Sequence, residues 1–159
     1  DYMKVLKTTK GIGGQLTGFR ELVQDSNNIT FIGSPGFCTP FAELLAFVIR
    51  GTGKGMAFVP SLKYENAKSI VATENGMQLG EKIDPGADTV VLLGGVAMPK
   101  MDIDPDDMND MVTKILENSE NKLIIGVCFQ SVFQEQEWDN YIDFDYIIDS
   151  DLTNSTIEV

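Results

Sequence analysis

The stretch Asn28-Ile29-Thr30-Phe31-Ile32-Gly33-Ser34-Pro35-Gly36-Phe37-Cys38-Thr39-Pro40-Phe41-Ala42-Glu43-Leu44-Leu45 decides the fold. Residues 29–33 are β-branched and aromatic without polar alternation, as a strand buried on both faces requires. Gly33, Pro35 and Gly36 then force a tight loop. From Phe41 onward Leu44, Leu45 and Val48 recur at helical spacing, which predicts a helix over about 40–50. Arg50 suits the negative end of its dipole and Gly51 a position just past its end. A strand, a tight loop and a helix form the first half of a βαβ unit. In open α/β sheets such a junction is where ligands bind.

Further units lie to the C-terminal side. Met56-Ala57-Phe58-Val59 is a strand stopped by Pro60, and residues 61–68 read as a short helix. Residues 69–73 and 77–83 pair as a hairpin around Glu74-Asn75-Gly76, since Asn-Gly favours the primed two-residue turns. Asp88–Gly94 and Lys122–Cys128 are continuous apolar strands. Between them Asp104 is an N-cap with Pro105 behind it, and Asp106 and Asp107 complement the dipole of a helix running to Glu117. A short helix follows over 131–141. Residues 142–149 alternate, with Ile142, Phe144, Tyr146 and Ile148 directed inward and Asp143, Asp145 and Asp149 outward, as suits a charged edge strand.

To the N-terminal side, residues 3–9 are a short strand or an ordered arm. Gly11-Ile12-Gly13-Gly14 breaks the chain, and Leu16, Phe19, Leu22 and Val23 mark an amphipathic helix over 15–25. The order predicts one α/β domain, a three-layer Rossmann-like architecture with a mainly parallel sheet. Residues 1–28 supply an N-terminal arm and helix, 29–150 the core and 151–159 a tail that trails or adds a short strand. Right-handed crossovers gather 33–40, 60–63, 94–100 and 129–132 on one edge of the sheet.

The 159 residues suffice for one sizeable core. The composition, 43% hydrophobic and 23% charged, is that of a soluble globular chain. No apolar run approaches the ~20 residues of a membrane span, and the N-terminus lacks the apolar segment of a secretory signal. The chain opens on Asp1 in place of methionine, so residues are expected to have preceded it. A net charge of −12 repels phosphate backbones and anionic membranes, which argues against nucleic-acid and membrane partners. Two cysteines, Cys38 and Cys128, fit a reducing, cytoplasmic compartment.

The absence of histidine excludes His-dependent triads and His-ligated metals within one chain. Two thiols are too few for a four-thiolate zinc site, and no metal site is expected. Asp102, Asp104, Asp106 and Asp107 lack the glycine and glutamate that a calcium loop needs at its sixth and twelfth positions. Helix capping accounts for them.

The candidate ligand-binding residues are Gly33, Ser34, Gly36, Cys38 and Thr39 after the first strand, with Gly94 and Gly95 after the 88–94 strand. Glycines let a backbone approach a ligand closely. N–H groups at a helix start attract anions. A cysteine there acquires thiolate character, which makes Cys38 the candidate nucleophile. A plain packing account stands beside each: Thr39 as cap, Cys38 as small buried filler, Gly94-Gly95 as a turn needing positive φ. Pro35 and Pro40 remove donors, and the loop lacks the Lys-Ser/Thr ending of a phosphate-binding P-loop. Gly11-x-Gly13-Gly14 has Leu16 where a dinucleotide fingerprint needs its last glycine. Lys100 is a possible source of charge, Cys128 a possible partner of Cys38, and Phe133, Trp138 and Tyr141 a possible pocket mouth.

Gly33–Leu45, Leu92-Leu93-Gly94-Gly95-Val96-Ala97-Met98-Pro99 and Ile124-Ile125-Gly126-Val127-Cys128-Phe129 together resemble a family of small archaeal proteins of unknown function, found chiefly in methanogens. The resemblance spans most of the chain. It implies a cytoplasmic, anaerobic setting and brings no activity, cofactor or functional residue with it. From the residues themselves the leading expectation is binding of a small anionic or nucleotide-like ligand at the carboxyl edge of the sheet. A thiol-dependent enzyme using Cys38 and a non-catalytic subunit that acts as a homo-oligomer or through a protein partner are the alternatives.

Overall fold

Side chains alternate across the pleat of a strand, and here that alternation sorts the apolar residues into two cores. The computed structural model describes residues 3–159. Asp1 and Tyr2, counted above in the N-terminal arm, lie outside the described residues. The strands are β1 (Asn28–Gly33), β2 (Gly55–Pro60), β3 (Lys68–Thr73), β4 (Gly76–Lys82), β5 (Thr89–Leu93), β6 (Leu123–Phe129) and β7 (Tyr146–Ser150). The helices are α1 (Gly11–Leu22), α2 (Thr39–Phe47), α3 (Pro105–Leu116) and the single turn α4 (Val132–Glu135).

One sheet joins all seven strands in the order β4-β3-β2-β1-β5-β6-β7. β2, β1, β5, β6 and β7 run parallel, and β3 and β4 add two antiparallel pairings at one end. β1 is central: Ile32 pairs with Val59 on one side and Leu92 on the other. The chain leaves β1 in one direction towards β2 and later resumes on its other side with β5, so the sheet order reverses at the β1/β5 boundary. That is the switch point of an open sheet.

Ile32, Val59, Val90, Leu92 and Cys128 bury one face beneath Met108, Val112 and Ile115 of α3, with Phe133 and Trp138. Phe31, Phe58, Val91, Leu93, Ile125 and Val127 bury the other beneath Phe19 of α1 and Ala42 and Leu45 of α2. Asp104 caps α3 as expected, its Oδ1 accepting the Asp106 N–H at 2.8 Å. Among the described residues no helix is long and apolar enough to cross a membrane.

Several expectations are corrected. Gly11–Gly14 does not break the chain; α1 begins at Gly11. Gly14 serves packing, because a Cβ there would fall on the Thr9 side chain, and Gly11 supplies the left-handed φ of +70° at the start of the helix. Residues 3–10 form an exposed arm outside the sheet, and 151–159 an exposed tail without regular structure. Residues 61–68 hold only one 3-10 turn, Tyr64–Asn66, and the short helix of 131–141 divides into α4 and a turn at Trp138–Asn140. β7 starts at Tyr146 and not at 142. Ile142 is buried in the α3-side core ahead of the strand, whereas Tyr146 is exposed at the sheet edge. Asp145 and Asp149 are exposed as expected, and their carboxylates also accept hydrogen bonds from Ile124 N and Ser131 N.

Candidate functional site

Three loops meet above the carboxyl ends of β1, β5 and β6. The first, between β1 and α2, turns at Gly36 with φ +84°, a conformation that glycine adopts without steric cost. Its donors are spent internally. The Gly36 N–H donates to Thr39 Oγ1 at 3.0 Å and the Cys38 N–H to the Ser34 carbonyl at 2.9 Å. Cys38 is the N-cap residue of α2, but its side chain caps nothing; Sγ lies 3.2 Å from Ser34 Oγ, in a position only 2% exposed.

The second loop follows β5 as a 3-10 turn over Gly94–Ala97. Neither Gly94 nor Gly95 has positive φ, so the expected turn requirement is replaced by one of space. A Cβ on Gly95 would fall on Cys38 Sγ and within 3.0 Å of Ser34 Oγ. A Cβ on Gly94 would lie 2.6 Å from Cys128 Cβ and 2.8 Å from Val132 Cγ1. Gly33 is held to glycine in the same way by the Cys38 side chain. These glycines let the three loops close on one another.

The third loop, Gln130-Ser131, runs through two consecutive left-handed residues, φ +55° and +57°. Such conformations cost on the order of 1–3 kcal/mol each. Asp149 of β7 holds them: its carboxylate accepts the Ser131 N–H at 2.9 Å and the Ser131 hydroxyl at 2.8 Å. The Cys128 thiol donates to the same carboxylate at 3.3 Å. Burial, then the adjacent Asp149 charge, pushes Cys128 from its ordinary 9.0 up to about 12. The sign follows directly. Above pH 9 the unfolded chain releases a proton that the folded chain keeps, so stability falls between pH 9 and about 12 and is unaffected by this group below that window. Cys128 is therefore expected to stay unlabelled by iodoacetamide at about pH 8, where almost no thiolate forms. Peptide mass mapping of the folded protein checks it, and prompt labelling would contradict it. The two cysteines belong to the two different cores, on opposite faces of the sheet, and both are free. They do not form the dithiol entertained from the sequence.

Between these loops lies a cleft of about 370 Å³, walled by Phe37, Cys38, Phe41, Leu93, Gly94, Gly95, Met98, Val127, Phe129, Val132 and, on the rim, Gln130, Glu135 and Gln136. The Phe41 and Phe129 rings stand 5.3 Å apart. Of the expected residues Cys38, Gly94 and Gly95 line the cleft. Gly33 and Ser34 pack against Cys38 beneath it, while Gly36 and Thr39 stay in the turn outside the lining. Lys100 does not line it either. A second recess of about 310 Å³ shares Met98 and Gln136 and is bordered by Asp102, Glu137, Trp138 and Tyr141. Trp138 and Tyr141 thus border a recess as expected, whereas Phe133 is wholly core. Sequence reasoning missed Phe37, Phe41, Met98, Phe129 and Gln136. For the four apolar ones the signal is a large side chain at or just beyond a strand end or on the first turn of a helix; Gln136, at the C-cap of α4, carries none.

Fold and site together define a mostly parallel α/β protein, flanked by helices on both faces, with an apolar cleft at the carboxyl edge. The chain belongs to the archaeal family described as "Uncharacterized protein conserved in archaea (DUF2124)", whose model matches residues 10–153. It is 40% identical over 151 residues to an uncharacterized protein of Methanocaldococcus jannaschii, covering 92% of this chain and 89% of that one. An uncharacterized protein of Methanothermobacter thermautotrophicus is also 40% identical over 151 residues, covering 94% and 95% of the two chains. A crystal structure of a protein of unknown function from M. thermautotrophicus superposes over 100% of both chains with a TM-score of 0.91 at 35% identity. The archaeal, methanogen family anticipated from the three sequence stretches is the family found.

Proposed function

We propose that the protein is a cytoplasmic, single-domain binder of a small molecule, using the carboxyl edge of a three-layer Rossmann-like sheet. The flat apolar cleft takes an uncharged ring, the ring part of a nucleotide-like ligand in preference to its phosphates. The observation that carries this reading is the lining: aromatic and aliphatic walls, Gly94 and Gly95 between them, and two carboxamides and the Glu135 carboxylate at the rim, with no lysine or arginine among them. Small-molecule sites are typically apolar pockets with a few polar groups that orient the ligand. An anion has less support, because Gly36 and Cys38 have committed their N–H groups and Pro35 and Pro40 have none.

Thermal unfolding against nucleobases, nucleosides, flavins, pterins, nucleotides and simple anions tests this. A ring-bearing ligand at ~100 times its dissociation constant adds about 2.7 kcal/mol of stability, a shift of several degrees. Phe37→Asp should abolish that shift while leaving the free protein's Tm nearly unchanged, because Phe37 lines the cleft yet is 61% exposed. Shifts from anions alone, or from ring compounds equally in Phe37→Asp, would overturn the reading. The thiol-enzyme alternative has one observation in its favour: Cys38 borders the cleft at the start of α2. Rapid labelling of Cys38 in the alkylation experiment above would favour it.

A further inference from the structure

Residues 3–10 belong to no helix or strand and are exposed along their whole length. Within them Met3, Val5 and Leu6 are 52%, 80% and 70% exposed. The segment's backbone groups are left to water and are free to pair with another strand, and its aliphatic side chains are costly to leave in water. The arm is tied to its own molecule by an exposed Lys7–Glu21 ion pair of 3.3 Å, a type of contact worth little. It carries Lys4, Lys7 and Lys10 and no acidic residue between 3 and 10.

β7 ends the sheet and, among the described residues, pairs with β6 alone. β7 is guarded by exposed carboxylates, which repel a like edge and attract a basic strand. Asp145 and Asp149, hydrogen-bonded to β6 and its following loop, are exposed together with Tyr146, and Ile147 and Ile148 are half-buried. An edge of this kind is a template for another strand. Its surroundings are acidic: Asp143, Asp145, Asp149, Asp151 and Glu158 follow one another with no lysine or arginine after Lys122. The opposite edge, β4, pairs Lys82 with Lys68 and is the wrong sign for a basic arm.

From the charge match and the paired vacancies of backbone and apolar cover, we infer that the arm of one copy adds as a strand to the β7 edge of a second copy. The exchange is reciprocal, giving a closed two-fold dimer. The partner is a second copy of this chain, and the contact is independent of the cleft.

Sedimentation of the full chain at micromolar protein tests it. The chain should run at twice its formula mass. Val5→Asp/Leu6→Asp, which spoils the arm, and Tyr146→Lys, which places a cation on the receiving edge, should each run as monomers with unchanged circular dichroism. Mixing the two variants leaves one sound arm facing one sound edge and should restore a dimer of one copy of each. A monomeric parent chain, with the arm lying on its own molecule or reserved for a different protein, would overturn the inference. So would variants that stay dimeric, or a mixture that stays monomeric.

Discussion

Phe133→Ala should lower stability by about 3–5 kcal/mol, the cost of removing a buried phenyl ring and leaving its cavity. For a chain of this size that is a fall in Tm of roughly ten degrees or more. Phe133 is 0% exposed, its ring centroid lies 4.9 Å from that of Phe144 and 6.0 Å from that of Trp138, and a Cβ on Gly126 would come within 3.0 Å of it. The single turn α4, four residues long, is too short to persist on its own propensity. Phe133 is its anchor, and with it go Val132, Glu135 and Gln136 on one wall of the cleft. Denaturant melts give the stability, and an unfolding free energy within 1 kcal/mol of the parent would show that α4 is held by something else.

The second large effect is at Gly95. Gly95→Ala inserts a methyl against Cys38 Sγ and Ser34 Oγ, overpacking that should cost about 1–3 kcal/mol. The same change in a Cys38→Ala background should cost much less, because the smaller side chain vacates the space. The double-mutant cycle should therefore show coupling of about 1 kcal/mol or more. Strict additivity would mean that the β1 and β5 loops do not press on one another at this point. The experiment also separates the packing role of Gly95 from its place in the cleft, since it reads stability without a ligand.

Much of the fold was legible along the chain. The runs 29–33, 56–59, 88–94 and 122–128 are strands because a continuous β-branched and aliphatic segment of that length has to be buried on both faces. Asp104-Pro105 opens α3 because a carboxylate and a proline each suit the unpaired N–H groups of a first turn. Asn75-Gly76 gives the β3–β4 turn for equally local reasons. The misreadings have a common cause in contacts from elsewhere. Gly11–Gly14 looks like a breaker until Thr9 is seen lying across it. Gly94 and Gly95 look like turn glycines until Cys128 and Cys38 are seen pressed against them.

The convergence of the strand-end loops followed from local pattern together with the handedness of crossovers, because parallel strands joined that way bring their carboxyl ends, and the cleft between them, to one edge. Its chemistry did not. Phe37 and Phe41, Met98, and Phe129 and Gln136 come from three separate loops, and no periodicity relates them. Their convergence depends on β1, β5 and β6 being neighbours in that order and on glycines thin enough to let the loops close. Strand order is a property of pairing across the sheet, so the apolar character of the cleft, the separation of the two cysteines onto opposite faces and the uncapped β7 edge exist only once the sheet has assembled.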